Sequence, residues 1–261
     1  MRETSRMPLS LRSEPELLLT SPSWQLEVRP ERGGRITSLR LGGEELLEQG
    51  IGIDDPAAAD FVAGGAQGWD EMVPSLEAVG SLPDHGEAWR VPWIVEEASG
   101  SSVSMSCRGR AVPFELRRRV ELGRRVHVDY TYLNVGAEPR LAYWCGHALF
   151  KFEVGMEIGV PGGEKLGALA WGASTKTFLP KGSIDRARLG WRSGAAIELG
   201  WDAGLTPYVG VWVCNGDLRG YRQIAIEPAT GGNDRPDPAE PPPVLAPGET
   251  FEWWFEIRDA R

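Results

Sequence analysis

Apolar residues along the chain recur chiefly at every second position, not at the 3.6-residue period of a helix. Phe251, Trp253, Phe255 and Ile257 alternate with Glu252, Trp254, Glu256 and Arg258, and Val126, Val128, Tyr130 and Tyr132 alternate with His127, Asp129, Thr131 and Leu133. Successive side chains of a strand point to opposite faces, so each run offers one face to a core. Turn signals separate the runs: Gly42-Gly43 after RITSLRL, Gly123-Arg124 between FELRRRVEL and VHVDYTYLN, and Asn215-Gly216 after PYVGVWVC. They predict hairpins. Helical turns are expected only at Glu44 to Glu48 and Pro56 to Val62. The pattern predicts an all-β chain, a large antiparallel β-sandwich with few short helical turns, whose two sheets cover each other's apolar faces.

The segment GGNDRPDPAEPPPVLAPG, residues 231–248, is too rich in proline for a helix or a central strand. It is not a domain linker on this reading, because the single strand FEWWFEIR that follows cannot fold alone and must dock back into the preceding sheet. Residues 1–261 are therefore expected to form one domain, with 231–248 as a long surface loop.

Composition narrows the function classes. With 261 residues, 41% hydrophobic and 25% charged, the chain can bury a full core without disulfides or a metal. A formal charge of -9 repels phosphodiester backbones and anionic headgroups, so neither nucleic acid nor a membrane surface is an expected partner. Arg117, Arg118, Arg119, Arg124 and Arg125 are the one basic cluster; they lie in an alternating strand pattern and read as the solvated face of a hairpin. Cys107, Cys145 and Cys214 are odd in number and sit in apolar runs, which suits reduced, buried thiols and a cytoplasmic protein. Charges at Arg2, Glu3, Arg6 and Arg12 and the short apolar run Leu17 to Leu19 leave no signal-peptide core or membrane span. A monomer or homodimer is expected.

Polar residues in unusual company occur in GWDEMVPSLE (68–77), LPDHGEAW (82–89), YWCGHALF (143–150) and IAIEPATGGND (224–234). In a strand, Ile224 and Ile226 point to one face and Gln223, Ala225 and Glu227 to the other, with Pro228 expected to end the ladder. Glu227 is then either an ordinary exposed strand-end glutamate or a carboxylate at the mouth of a cleft. His147, in apolar surroundings, is either a core histidine or a rigidly held acid. His85 shares one loop with Asp84 and Glu87, a solvated turn or a binding loop. His127 reads as a surface residue. No H-x-H, H-E-x-x-H or C-x-x-C supports a metal, and no G-x-S-x-G, P-loop or G-x-G-x-x-G supports acyl transfer, nucleotide hydrolysis or dinucleotide chemistry. Trp69 beside Asp70 and Glu71, Trp89 after Glu87, and Trp144 before His147 offer indole faces for the C–H face of a sugar ring.

These stretches, with the opening WQLEVRPERGGRITSLRLGGEELL and the closing PGETFEWWFEIR, resemble in order the aldose 1-epimerases, the galactose mutarotase-like proteins. The resemblance implies a supersandwich and a cofactor-independent interconversion of the α and β anomers of a free monosaccharide. It implies Glu227 as the base on the anomeric hydroxyl, His147 as the acid on the ring oxygen, and His85 as a sugar-binding group that polarises that oxygen. Trp69, Asp70, Glu71, Glu87 and Trp144 are the further candidates for sugar contact. Removing the C1 hydroxyl proton while protonating the ring oxygen opens the hemiacetal; rotation about C1–C2 and closure on the other face gives the opposite anomer. Acid and base must each come within about 2.6 to 3.2 Å of their protons.

Departures from the family pattern imply a divergent branch. Glu87 stands where a second glycine after the histidine is usual, GGAQGWDEMVPSLE lacks the family's sugar-binding arginine, and its later aspartate has no counterpart here. The sugar need not be galactose. Two other readings stay open: a sugar-phosphate mutarotase, for which Arg90, Arg222 and Arg235 lie near the motifs, and a non-catalytic carbohydrate-binding or regulatory protein on the same sandwich.

Overall fold

The computed structural model describes residues 16–80 and 82–261. The charged positions Arg2, Glu3, Arg6 and Arg12 lie outside the described residues. The alternating runs form strands as expected, in two large antiparallel sheets. The ten-stranded sheet runs Leu17–Thr20, Trp24–Arg29, Arg35–Leu41, Trp69–Met72, Cys145–Ala148, Arg222–Ala229, Tyr208–Asn215 and Ala173–Leu179, with Glu44–Glu45 and Phe150–Lys151 pairing beside this path. The eight-stranded sheet runs Glu157–Gly159, Arg186–Gly190, Ala196–Trp201, Thr250–Asp259, Arg125–Asn134, Phe114–Leu122, Ser102–Arg108 and Ile94–Ala98. The aromatic strand after the proline-rich segment thus docks in the middle of a sheet, between Arg125–Asn134 and Ala196–Trp201.

The core fills the space between the sheets. Val126, Val128, Trp253, Phe255 and Ile257 face Leu26, Ile36, Val211, Ile224 and Ile226, all buried. A second apolar cluster, including Phe61, Met72, Leu76, Tyr143, Cys145 and Ala225, covers the other face of the ten-stranded sheet. That layer carries the candidate site.

Three local expectations are corrected. Glu44 to Glu48 is not helical: Glu44–Glu45 is a short return strand, and the Glu45 carboxylate accepts from the backbone N–H groups of Leu39 and Leu47 at 3.0 Å each. The first helix is Phe61–Gly65, capped by the Asp60 side chain on the N–H of Ala63 at 2.7 Å. The arginine run is not wholly solvated: Arg117 and Arg119 face outward, but Arg118, of opposite parity, is fully buried between the sheets. Among the described residues no helix is long and apolar enough to cross a membrane.

Candidate active site

Parity within one strand places the first group. Ile224 and Ile226 fill the inter-sheet core, so Gln223, Ala225 and Glu227 turn to the opposite face of Arg222–Ala229. Pro228 does not end this ladder; it lies opposite Val209, and pairing continues to Ala229. Glu227 is therefore inside the strand and 2% exposed. The register Cys145↔Ala229 and Phe150↔Ile224 on its other side places His147 directly across from Glu227. Cross-strand neighbours share a face, and His147 Nε2 lies 3.6 Å from Glu227 Oε1.

The cleft is closed by loops. Phe61, at the start of its short helix, stacks on His85 with ring centroids 4.4 Å apart and meets His147 edge-on at 5.2 Å. Asp84 ties these together: its Oδ2 accepts from the N–H of Phe61 at 2.9 Å and lies 2.9 Å from His85 Nδ1. His85 adopts φ 58, a left-handed conformation held by its N–H on the carbonyl of Leu76 at 2.6 Å. Gly86 follows at φ 69, where a Cβ would lie 2.2 Å from the carbonyl oxygen of Val73; the turn that aims His85 requires a glycine there. From the proline-rich segment, Asp234 reaches in, its carbonyl accepting from the N–H groups of Leu76 and Glu77 at 2.9 and 2.6 Å. The cleft measures about 170 Å³, close to the ~150 Å³ that accommodates a benzene ring. Apolar walls come from Phe61, Val62, Leu76, Trp212 and Leu218, and polar groups from His85, His147, Gln223, Glu227, Asp234 and Lys176.

Lys176 and Asp234 are cavity residues that sequence reading misses, Lys176 the more informative of the two. Lys176 Nζ lies 2.6 Å from Glu227 Oε2 and 2.5 Å from Asp234 Oδ1. Lys176 belongs to Ala173–Leu179, the edge strand of the sheet, where a lysine ordinarily guards against edge pairing. Its only signal is an inward position between Thr175 and Thr177, and this requires the register to be known.

Electrostatics sets the proton states. Burial pushes the Glu227 carboxyl up, and Lys176 opposes that rise. Burial pushes His147 well below the usual histidine range, assisted by His85, Lys176 and Arg35. For Lys176, burial favours the neutral amine, but Glu227, Cys145 and Asp234 outweigh it, and the amine is held protonated well above the ordinary lysine range. A neutral, buried His147 makes stability pH-dependent with a fixed sign. Below the ordinary value of 6.5 the unfolded chain takes up a proton that the folded site refuses, so this contribution is present above that pH and lost as pH falls. The stability difference between the wild type and His147→Gln should therefore shrink by about 1.4 kcal/mol per pH unit below it, while the folded imidazole stays neutral. Urea unfolding of both proteins at pH 7.5 and 5.5 checks this; a pH-independent difference contradicts it.

The structure gathers His85, His147 and Glu227 on one cavity and places the other candidates elsewhere. Asp70 lies beside His147 in register, but both its oxygens are taken by Arg35, whose Nε and Nη2 reach Oδ2 at 2.9 and 2.6 Å. Glu71, of opposite parity, faces the inter-sheet core, where its carboxylate accepts from Arg118 and Tyr130 at 2.9 Å and from Trp144 Nε1 at 2.8 Å. Trp144 is thereby in the core, as is Trp69, which packs edge-on against Phe255 at 5.3 Å. Glu87 caps a neighbouring loop, accepting from the N–H groups of Arg110, Ala111 and Val112 at 2.6, 2.9 and 3.0 Å. Indole stacking is left to Trp212 alone among the cavity-lining residues. His127 lies on the far sheet, stacked on Trp254.

No protein-family model matches the sequence, and no curated protein does. Solved structures do match. A protein of Synechocystis sp. PCC 6803 aligns over 97% of this chain and 98% of its own, with a TM-score of 0.75 at 17% identity. A proposed aldose 1-epimerase of Escherichia coli K12 aligns over 94% and 98%, TM-score 0.74, also at 17% identity. A galactose mutarotase-like protein of Lactobacillus casei ATCC 334 aligns over 94% and 99%, TM-score 0.69 at 16% identity. Identities this low establish the architecture and leave activity to be argued from the site. The chain has the galactose mutarotase-like fold.

Proposed function

We propose that the protein is a cofactor-independent aldose 1-epimerase that interconverts the anomers of a neutral monosaccharide. The observation that carries this is the facing pair His147 and Glu227, both buried and 3.6 Å apart at one cavity, with Glu227 Oε1 lacking a hydrogen-bond partner among the described residues. That separation is too long for a hydrogen bond between them. It suits a ligand whose two oxygens sit on one carbon, the hydroxyl and ring oxygen of a hemiacetal.

Both proton affinities are shifted in the useful direction. Ring opening moves a proton from the His147 imidazolium to the ring oxygen and another from the anomeric hydroxyl to the Glu227 carboxylate; the reactive form is therefore the minor one in which His147, neutral in the free site, has taken up a proton, and that form exchanges two charges for none. Burial raises the carboxylate's appetite for that proton and lowers the imidazolium's hold on its own. Ring closure reverses both transfers on the other face of the aldehyde. His85, aimed by Asp84 and stacked on Phe61, is placed to hold the sugar beside His147, their ring centroids 5.3 Å apart.

A neutral sugar is favoured over a phosphorylated one by the charges at the cavity. Among the described residues its lining includes no arginine, and Lys176 is already engaged by two carboxylates. Arg90 stacks on Trp89 at 4.4 Å, and Arg235 faces Glu77 at 3.7 Å. A phosphate would want bidentate guanidinium contacts that these residues do not converge to make. Polarimetry on freshly dissolved α-glucose, α-galactose and α-glucose 6-phosphate tests the reading. A neutral sugar should equilibrate faster than in buffer; binding without any acceleration would instead mark a carbohydrate-binding protein.

A further inference from the structure

We infer that Lys176 is the positioning residue of the site: it immobilises Oε2 of Glu227, leaves Oε1 as the one oxygen free to take a proton, and couples that carboxylate to the proline-rich loop through Asp234. This deepens the epimerase reading and rests on it for its catalytic meaning, but the geometry has a readout of its own.

Three observations carry it. First, the two carboxylate oxygens of Glu227 are inequivalent: Oε2 is 2.6 Å from Nζ of Lys176, whereas Oε1 faces His147 and lacks a partner among the described residues. Second, Lys176 is not adjacent to Glu227 in the sheet. The strand Tyr208–Asn215 runs between their strands, with Gly210 opposite Glu227 and Trp212 opposite Lys176. The side chain crosses that strand over Gly210, where a Cβ would lie 3.1 Å from Lys176 Cε and 2.8 Å from Glu227 Oε2. Gly210 has an ordinary backbone conformation, so the space it leaves, rather than its flexibility, is what the site uses. Third, the amine is held from the other side by Asp234 at 2.5 Å, itself fastened by its carbonyl to the N–H groups of Leu76 and Glu77; the carbonyl of Leu76 in turn holds the N–H of His85. One cation thus links the base to the loop that closes the cleft.

The charged and titratable groups facing Glu227 are Lys176, Asp234, His147 and His85, with the buried Cys145 thiol on the neighbouring strand. Among them only Lys176 is a fixed cation in contact with the carboxylate. Removing it leaves burial and Asp234, which both favour the protonated acid, opposed only by His85.

The test is carboxyl ¹³C NMR titration of Glu227 in the full chain, with Lys176→Met, Lys176→Arg and Gly210→Ala. An opposite charge at this distance shifts a carboxyl by about 1 to 3 pH units. The Glu227 midpoint should rise by at least about one unit in Lys176→Met, return toward the wild-type value in Lys176→Arg, and rise in Gly210→Ala, which keeps both charges but obstructs their contact. If Lys176→Met does not fold, Gly210→Ala carries the measurement. The acid limb of the anomerisation rate should move to higher pH in step with the midpoint. A midpoint unchanged in folded Lys176→Met or Gly210→Ala overturns the inference even if the wild type turns sugar over. A midpoint that moves in a protein without activity supports the positioning role and sinks only the epimerase reading.

Discussion

Glu227→Gln should lower anomerisation by about 10²- to 10⁴-fold, the range ascribed to a single positioned acid or base, and leave sugar affinity within a few-fold of the wild type. The substitution is nearly isosteric in a site where Glu227 is 2% exposed. The amide oxygen can take the place of Oε2 against Lys176, which also keeps Asp234. What is lost is the capacity of Oε1 to accept a proton. Polarimetry for the rate and titration calorimetry for affinity, on the same sugar, separate the two effects. An unchanged rate would remove Glu227 as the base, and a parallel loss of affinity would recast it as a binding group.

Arg118→Ala should cost about 3 to 5 kcal/mol of folding stability, because it strands a buried carboxylate without its cation. Glu71 and Arg118 are both 0% exposed and 2.9 Å apart between the sheets. Against a typical domain stability of about 5 to 15 kcal/mol, such a loss approaches the threshold of unfolding. The double change Glu71→Gln with Arg118→Met should recover most of it, since it leaves no uncompensated charge, while the amide oxygen can still accept from Trp144 and the amide NH2 can donate to the Tyr130 hydroxyl. Guanidinium unfolding of the single and double variants checks this. A single-variant loss below about 1 kcal/mol, the scale of a surface pair, would show that water reaches the pair.

These corrections show how far a strand pattern can be read. The runs at Val126 to Tyr132 and Phe251 to Ile257 are legible because each has one apolar face, and the sheets they form are the expected ones. His85, His147 and Glu227 are legible as residues because they stand out from their surroundings, and their convergence follows the resemblance. Parity alone excludes Asp70 and Glu71 from sharing one face; which one faces the core depends on Arg118 on the opposite sheet, a partner 47 residues away. The same alternation divides Arg118 from Arg117 and Arg119, and the inward arginine forms one buried ion pair with Glu71. Trp69 and Trp144 stand beside site residues in sequence, yet both side chains turn into the inter-sheet core. Lys176 and Asp234 carry no local signature, because an edge-strand lysine and an aspartate in a proline-rich loop are common solvated features until tertiary structure joins them.

The placement of Thr250–Asp259 has a consequence for the order in which the molecule can be built. Both its neighbours, Arg125–Asn134 and Ala196–Trp201, precede it in the chain. During synthesis the eight-stranded sheet therefore exists as two unjoined pieces, each presenting an open edge, until these residues emerge. Pairings between such distant segments form slowly, and open edges invite association between chains. The nascent protein is most vulnerable to aggregation before these residues emerge, and a chain cut short just before residue 250 holds His147 and Glu227 but cannot close its second sheet.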